Sequence, residues 1–302
     1  MKIPQTQISN GIISAKLYLP NSHKGYYQGT RFDWSGNMPS LVFKGHEFFG
    51  QWFKKYSPEI HDAIMGPVEE FTALDYFEAK PGGRFLKIGV GVLGKPDDKP
   101  FTFSRLYPKL DLGKWTIDKQ DDQVKFVHEL NDQDYSYNYE KIVKLTKDKP
   151  ELVLSHTFKN TGKNVIETSV YDHNFFVIDK QPVGPGYSIK FPFNLIGEGH
   201  GIGELAEIEG DKIIFLRELV NGETVFCSNL EGFSASSKDY DIRIENKTTG
   251  AGVRITCDQS LLKLVFWCCS TTLCPEPYIK IKVKPVEEFS WEIKYEFYVL
   301  ND

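Results

Sequence analysis

The side chains of this sequence alternate between apolar and polar. In residues 169–177, Ser-Val-Tyr-Asp-His-Asn-Phe-Phe-Val, extended geometry puts Tyr171, His173, Phe175 and Val177 on one face and Val170, Asp172, Asn174 and Phe176 on the other. Similar segments cover 85–93, 114–118, 123–130, 135–145 and 152–159 before this stretch. After it come 187–194, 206–218, 224–230, 240–246, 252–257, 261–268, 278–283 and 290–300, with Asp, Asn, Pro or Gly supplying the turns. Nearer the start, 11–19 and 31–34 read as strands. Residues 46–56 come nearest to a helix, which Pro58 would stop. Residues 60–84, broken by Gly and Pro, have the character of a long functional loop. The pattern predicts an all-β chain, a large antiparallel β-sandwich with few short helices. No repeat or linker divides it, so residues 1–302 are expected to form a single domain.

Composition narrows the function. Of 302 residues, 40% are hydrophobic and 25% charged, ordinary values for a water-soluble chain. The aromatic share of 14% suits strands and also suits binding of sugars, whose apolar faces stack on rings. A net charge of -5 and the lack of a basic stripe argue against nucleic acid. No apolar run is long enough to span a bilayer, and the first residues lack the apolar core of a signal peptide. Five cysteines in the last third, with no Cys-x-x-Cys pair, suggest neither a disulfide framework nor a zinc site. A reducing cytoplasm is the expected compartment, with no membrane partner.

Few motifs carry chemistry. Gly89-Val90-Gly91-Val92-Leu93-Gly94 matches a dinucleotide-binding string, but Lys95-Pro96 and Pro100 follow where that site needs a helix. These glycines are expected to serve close backbone approach, and no cofactor is implied. His156 shares a face with Leu152, Leu154 and Phe158 and reads as a core histidine, while His200 in Gly199-His200-Gly201 reads as solvated. A lone His173 among rings would ordinarily be structural too. Glu69-Glu70, after Gly66-Pro67, is either a solvated loop pair or a carboxylate aimed at ligand hydroxyls. Glu276 lies between Pro275 and Pro277. A carboxylate held on so stiff and apolar a stretch tends to a raised pKa, which suits a base near neutral pH, although the residues alone slightly favour a surface turn.

Taken together, His173 and Glu276 resemble the catalytic pair of the galactose mutarotase-like superfamily, the aldose 1-epimerases. The likeness lies in 154–165 leading into Asp172-His173-Asn174-Phe175-Phe176. It continues in Cys274-Pro275-Glu276-Pro277, followed by Lys284-Pro285-Val286-Glu287 and a closing Tyr295-Glu296-Phe297. The resemblance implies a β-sandwich with a sugar site on its concave face, no metal or organic cofactor, and a small carbohydrate as partner. It also implies interconversion of α and β anomers by ring opening, with His173 as general acid and Glu276 as general base. The family's second histidine and its substrate arginine have no match in 66–71, so His61 and Arg84 are the expected substitutes. Glu70, Tyr171 and Asn174 complete the expected sugar-binding set. A carbohydrate-binding protein of the same fold without catalysis is the alternative.

Overall fold

The computed structural model describes residues 2–300. Two large antiparallel sheets face each other. The larger has ten strands, in the order Ala206–Glu209, Lys212–Phe215, Tyr187–Lys190, Asp241–Asn246, Ala251–Cys257, Glu288–Val299, Glu151–Asn160, Ser136–Leu145, Gln123–Asn131 and Lys114–Lys119. The smaller has five, in the order Thr224–Leu230, Lys263–Cys269, Thr272–Val283, Ile166–Phe175 and Gly66–Phe71. A four-stranded and a three-stranded sheet from the first third complete the structure, and the two helical segments are single 3₁₀ turns at Ile178–Lys180 and Ser237–Asp239.

The ten-stranded sheet keeps the alternation read from sequence because only one of its faces is covered. In Glu288–Val299, Trp291, Ile293, Tyr295 and Phe297 are buried while Glu288, Ser290 and Glu292 are exposed. At the Gly66–Phe71 end of the five-stranded sheet both faces are covered, one by the ten-stranded sheet and the other by segments of the first third that carry Arg31 and Lys87. Gly66–Phe71 is therefore buried at every position and shows no period, which is why it reads as a loop in sequence. It is an edge strand, where Pro67 costs no ladder bond.

The helix expected over 46–56 does not form. A two-residue strand, His46–Glu47, is followed by irregular chain. The aromatic side chains there go to different places: Phe48 against Phe297, Phe49 against Phe176, Trp52 against Phe175, and Phe53 against Trp52 and Tyr56. No single helical face points in all these directions. The strand expected over 85–93 is a tight hairpin, Arg84–Lys87 with Gly91–Gly94. At its turn Gly89 has φ +76°, and an added Cβ would lie 2.7 Å from the Asp33 carboxylate, so the glycine serves close approach.

A polar layer lies between the two sheets. Lys141 and His156 project from core positions of the ten-stranded sheet onto Glu69 of the smaller one; His156 Nε2 is 2.6 Å from Glu69 Oε1, and Lys141 pairs with Oε2. Burial alone would raise the Glu69 pKa, but Lys141 and His156 hold it down at about 2. Beside them the Tyr295 hydroxyl oxygen lies 2.8 Å from Asp172 Oδ2. Burial and the charge of Glu69 push Asp172 up to about 8, and the same causes push Asp33 up to about 7. His156 is thus a core histidine, stacked on Trp291 with ring centroids 4.4 Å apart.

Candidate functional site

The outer face of the five-stranded sheet is the floor of a cleft of about 750 Å³, toward the upper end of small-molecule sites. Because strand side chains alternate, one set from each strand points into it: Phe226, then Val265 and Trp267, then Glu276 and Tyr278, then Tyr171, His173 and Phe175, then Glu70. Glu69 and Asp172, one residue along, point to the opposite side. Segments from the first third form the wall, bringing Arg31, Trp52, His61, Lys87 and Phe103.

Two prolines shape the centre of the floor. The ladder joining Ile166–Phe175 to Thr272–Val283 runs from Ile166↔Val283 to Tyr171↔Tyr278 and stops, then resumes in the same register at the Phe176↔Leu273 bridge. Across this gap lie Asp172–Phe175 and Cys274–Pro277, and Pro275 and Pro277 have no N–H with which to close it. The Asn174 side chain spans part of the seam instead, donating from Nδ2 to the Pro275 carbonyl at 2.9 Å while its Oδ1 accepts from Tyr295 at 2.8 Å. With the register conserved, His173 and Glu276 stand directly opposite one another. His173 Nε2 is 3.3 Å from Glu276 Oε1, and both side chains are buried.

Their surroundings set their protonation. His173 stacks on Phe175 at 3.9 Å between centroids and meets Phe32 and Trp267 edge-on. Burial, with help from the Arg31 charge, drives its pKa well below the usual imidazole range, and its Nδ1 has no hydrogen-bond partner. Burial pushes Glu276 up to about 8; Arg31 opposes this and Glu70 adds to it. Both shifts favour the uncharged forms, a protonated Glu276 carboxyl beside a neutral imidazole. An imidazolium at His173, the form a general acid there requires, is not its resting state.

One strand away is a charged wall. Glu70 Oε2 accepts from Arg31 Nε at 2.7 Å and from the Tyr171 hydroxyl at 2.5 Å, and its Oε1 accepts from Lys87 Nζ at 3.2 Å. Burial favours the neutral acid, but Lys87 and Arg31 outweigh it and hold Glu70 at about 2, so it is ionised. The Arg31 guanidinium is gripped between the rings of Phe32 and Phe103, 4.4 and 4.3 Å from their centroids.

Of the residues singled out from sequence, His173, Glu276, Glu70, Tyr171 and His61 come together in this cleft. Arg84 does not. It pairs with Asp132 and Asp134 at 2.8 and 3.1 Å and does not line the cleft, so the expectation that it replaces the substrate arginine is corrected; the arginine that lines the cleft is Arg31. Asn174 also leaves the cleft, since it sits on the inner face and closes the seam. Glu69-Glu70 is not a solvated pair, because both are buried in a strand. Arg31, Lys87, Tyr278 and the stacking rings went unassigned in sequence. The one hint was Arg31 within the Gly- and aromatic-rich stretch 25–36. Among the described residues no group of three or more His, Cys, Asp or Glu is placed to hold a metal ion, and no helix is long and apolar enough to cross a membrane.

No protein-family model matches the chain, and no curated protein matches it in sequence. Solved structures match it along nearly its whole length. A galactose mutarotase-like protein from Lactobacillus casei is 15% identical with a TM-score of 0.57, covering 97% of this chain and 100% of its own. A galactose mutarotase related enzyme from Lactobacillus acidophilus is 11% identical, TM-score 0.58, over 99% and 98%. An aldose epimerase homologue from C. elegans is 11% identical, TM-score 0.57, over 99% and 100%. At such identities the likeness is one of fold, and the chain has the galactose mutarotase-like fold.

Proposed function

We propose that the protein interconverts the α and β anomers of an aldose, with His173 and Glu276 as its acid/base pair. The observation that carries this reading is the direct opposition of the two groups, 3.3 Å apart on the cleft floor. Anomer exchange needs one group to take the proton of the C1 hydroxyl and one to give a proton to the ring oxygen. The C1–O bond of the ring then breaks to the aldehyde, the C1–C2 bond rotates, and closure reverses both transfers. Neutral imidazole with protonated carboxyl, and imidazolium with carboxylate, contain the same number of protons and differ only in which group acts first as acid. The resting form favours Glu276 as the donor to the ring oxygen and His173 Nε2 as the acceptor from the hydroxyl, the reverse of the assignment drawn from resemblance.

Glu70, fixed by Arg31, Tyr171 and Lys87, supplies an ionised acceptor for sugar hydroxyls, and Arg31 supplies a planar donor beside it. Such positioning is what brings the reacting oxygens to the pair. The 3.3 Å contact of His173 with Glu276, shorter than a gap that would admit a sugar between them, also favours a second reading, a carbohydrate-binding protein that does not turn its ligand over. Relaxation of pure α-aldoses followed by polarimetry decides between them. Acceleration that falls about 10²–10⁴-fold in His173→Ala and in Glu276→Gln is expected. Wild-type rates in both variants overturn the catalytic reading.

A further inference from the structure

We propose that Asp172, on the inner face of the sheet, is a positioning residue that works as a neutral acid: its carboxyl proton, given to Tyr295, fixes through Asn174 the Pro275 carbonyl beside Glu276. The positioning role rests on the proposed function; the protonation of Asp172 does not.

The protons available at the seam set the direction of every bond. Asn174 Nδ2 lies 2.9 Å from the Pro275 carbonyl and 3.2 Å from the Asp172 carbonyl. Both are acceptors, so the atom between them is the amide nitrogen, and Oδ1 is the atom that meets Tyr295. The Tyr295 hydroxyl oxygen is 2.8 Å from Asn174 Oδ1 and 2.8 Å from Asp172 Oδ2. A phenol has one proton to give, and an amide oxygen can only accept. The Tyr295 proton therefore goes to Asn174, and the contact with Asp172 is a hydrogen bond only if Oδ2 carries a proton of its own. An ionised Asp172 would take the Tyr295 proton and leave Asn174 Oδ1 against a bare phenol oxygen, away from water.

The surroundings of Asp172 favour the same state. It is buried and its Oδ1 has no hydrogen-bond partner, which costs a carboxylate far more than a neutral acid. Glu69 faces it from the adjacent strand, Lys141 and Tyr139 from Ser136–Leu145, and Tyr295 from Glu288–Val299. Tyr240, just before Asp241–Asn246, and Cys257 complete the titratable groups around it. Lys141 is the one cation among these, and it is paired with Glu69. Burial and the Glu69 charge push Asp172 up to about 8. The hydrogen bonds then run one way, from Asp172 through Tyr295 and Asn174 to Pro275, and no proton has to move along them. Loss of the Asp172 proton turns the first link around, takes the donor from Asn174 Oδ1, and slackens the anchor one peptide away from Glu276.

Infrared difference spectra of the intact chain against Asp172→Asn test the proton without reference to activity. The wild type is expected to show the band of a protonated carboxyl near pH 6, fading as pH rises through about 8. A carboxylate band near pH 6 overturns the proposal. Anomer relaxation of pure α-glucose and α-galactose tests the positioning. Asp172→Asn supplies an N–H in place of the O–H and is expected to stay within about twofold of wild type. Asp172→Leu, similar in size but without a donor, is expected to lose about tenfold in kcat with KM little changed. Tyr295→Phe should lose as much, and the double variant Asp172→Leu/Tyr295→Phe no more than either, because the links act in series. Equal losses in Asp172→Asn and Asp172→Leu, losses that multiply, or losses carried by KM overturn the positioning role and leave the proposed function standing. A wild-type chain that relaxes neither sugar overturns the proposed function and the positioning role together, while the carboxyl band still decides the proton.

Discussion

His173 and Glu276 face each other across a seam in the sheet, 3.3 Å apart, with burial pushing the carboxyl up to about 8 and the imidazole well below its usual range. The seam exists because Pro275 and Pro277 have no N–H, and the unbroken register on either side makes the two residues opposite partners. Loss of the carboxyl proton leaves a carboxylate and a neutral imidazole, with no acid for the ring oxygen. Activity is therefore expected to fall as pH rises through about 8 and to hold well below pH 6.5 on the acid side. A pH profile of kcat/KM checks this, and a limb centred near pH 6 instead would contradict the assignment.

Asn174 is expected to act as a positioning residue. Its amide fixes the Pro275 carbonyl, the peptide next to Glu276. Asn174→Ala should lower kcat by about 10²-fold, the cost of displacing a reacting group by about an ångström, while KM changes little. A loss carried mainly by KM would return Asn174 to the substrate-binding role expected of it in sequence.

Arg31→Lys keeps the charge and loses the planar fork that reaches both Glu70 and Tyr171. A rise in KM of about tenfold or more is expected, corresponding to roughly 1.5 kcal/mol for a charge-assisted hydrogen bond. Arg84→Lys, at the residue first expected in this role, should leave KM unchanged.

Stability should also depend on pH. Glu276 has a folded pKa raised above its ordinary value, so its contribution is complete below about 4.5 and is lost as pH rises through about 8. Asp172, raised to about 8, acts in the same direction. Glu69 and Glu70, depressed to about 2, contribute above their ordinary range and lose that contribution as pH falls toward 2. The buried histidines His173, His156 and His128, all depressed by burial, add stability above about 6.5 that is lost as pH falls. The melting temperature should therefore peak near pH 6 and decline toward 8, less steeply in Glu276→Gln. In the polar layer, Lys141→Met leaves Glu69 buried without its cation and should cost about 3–5 kcal/mol, most of it recovered by adding Glu69→Gln. Chemical denaturation measures both.

Val286 offers a gain. The Glu287 N–H donates to the Lys284 carbonyl at 3.0 Å across a turn with Pro285 second and Val286 third, and Val286 has φ +64°. That position favours glycine, and a β-branched side chain there is strained. Val286→Gly should raise stability by about 1 kcal/mol, read from the urea midpoint.

Much of this protein was legible in its sequence. The period-two alternation of segments such as Glu288–Val299 determined an antiparallel sandwich, because a sheet covered on one face must alternate. Pro-Glu-Pro around Glu276 and the face shared by Tyr171, His173 and Phe175 were local signals for the two halves of the pair. The strand Gly66–Phe71 was hidden, because burial on both faces erases the period. Tertiary structure alone decided that Glu69 goes to Lys141 while its neighbour Glu70 goes to Arg31, that Asn174 faces inward, and that Arg84 lies outside the cleft. Those choices depend on what packs against each face, and the packing partners come from strands and loops far away in sequence.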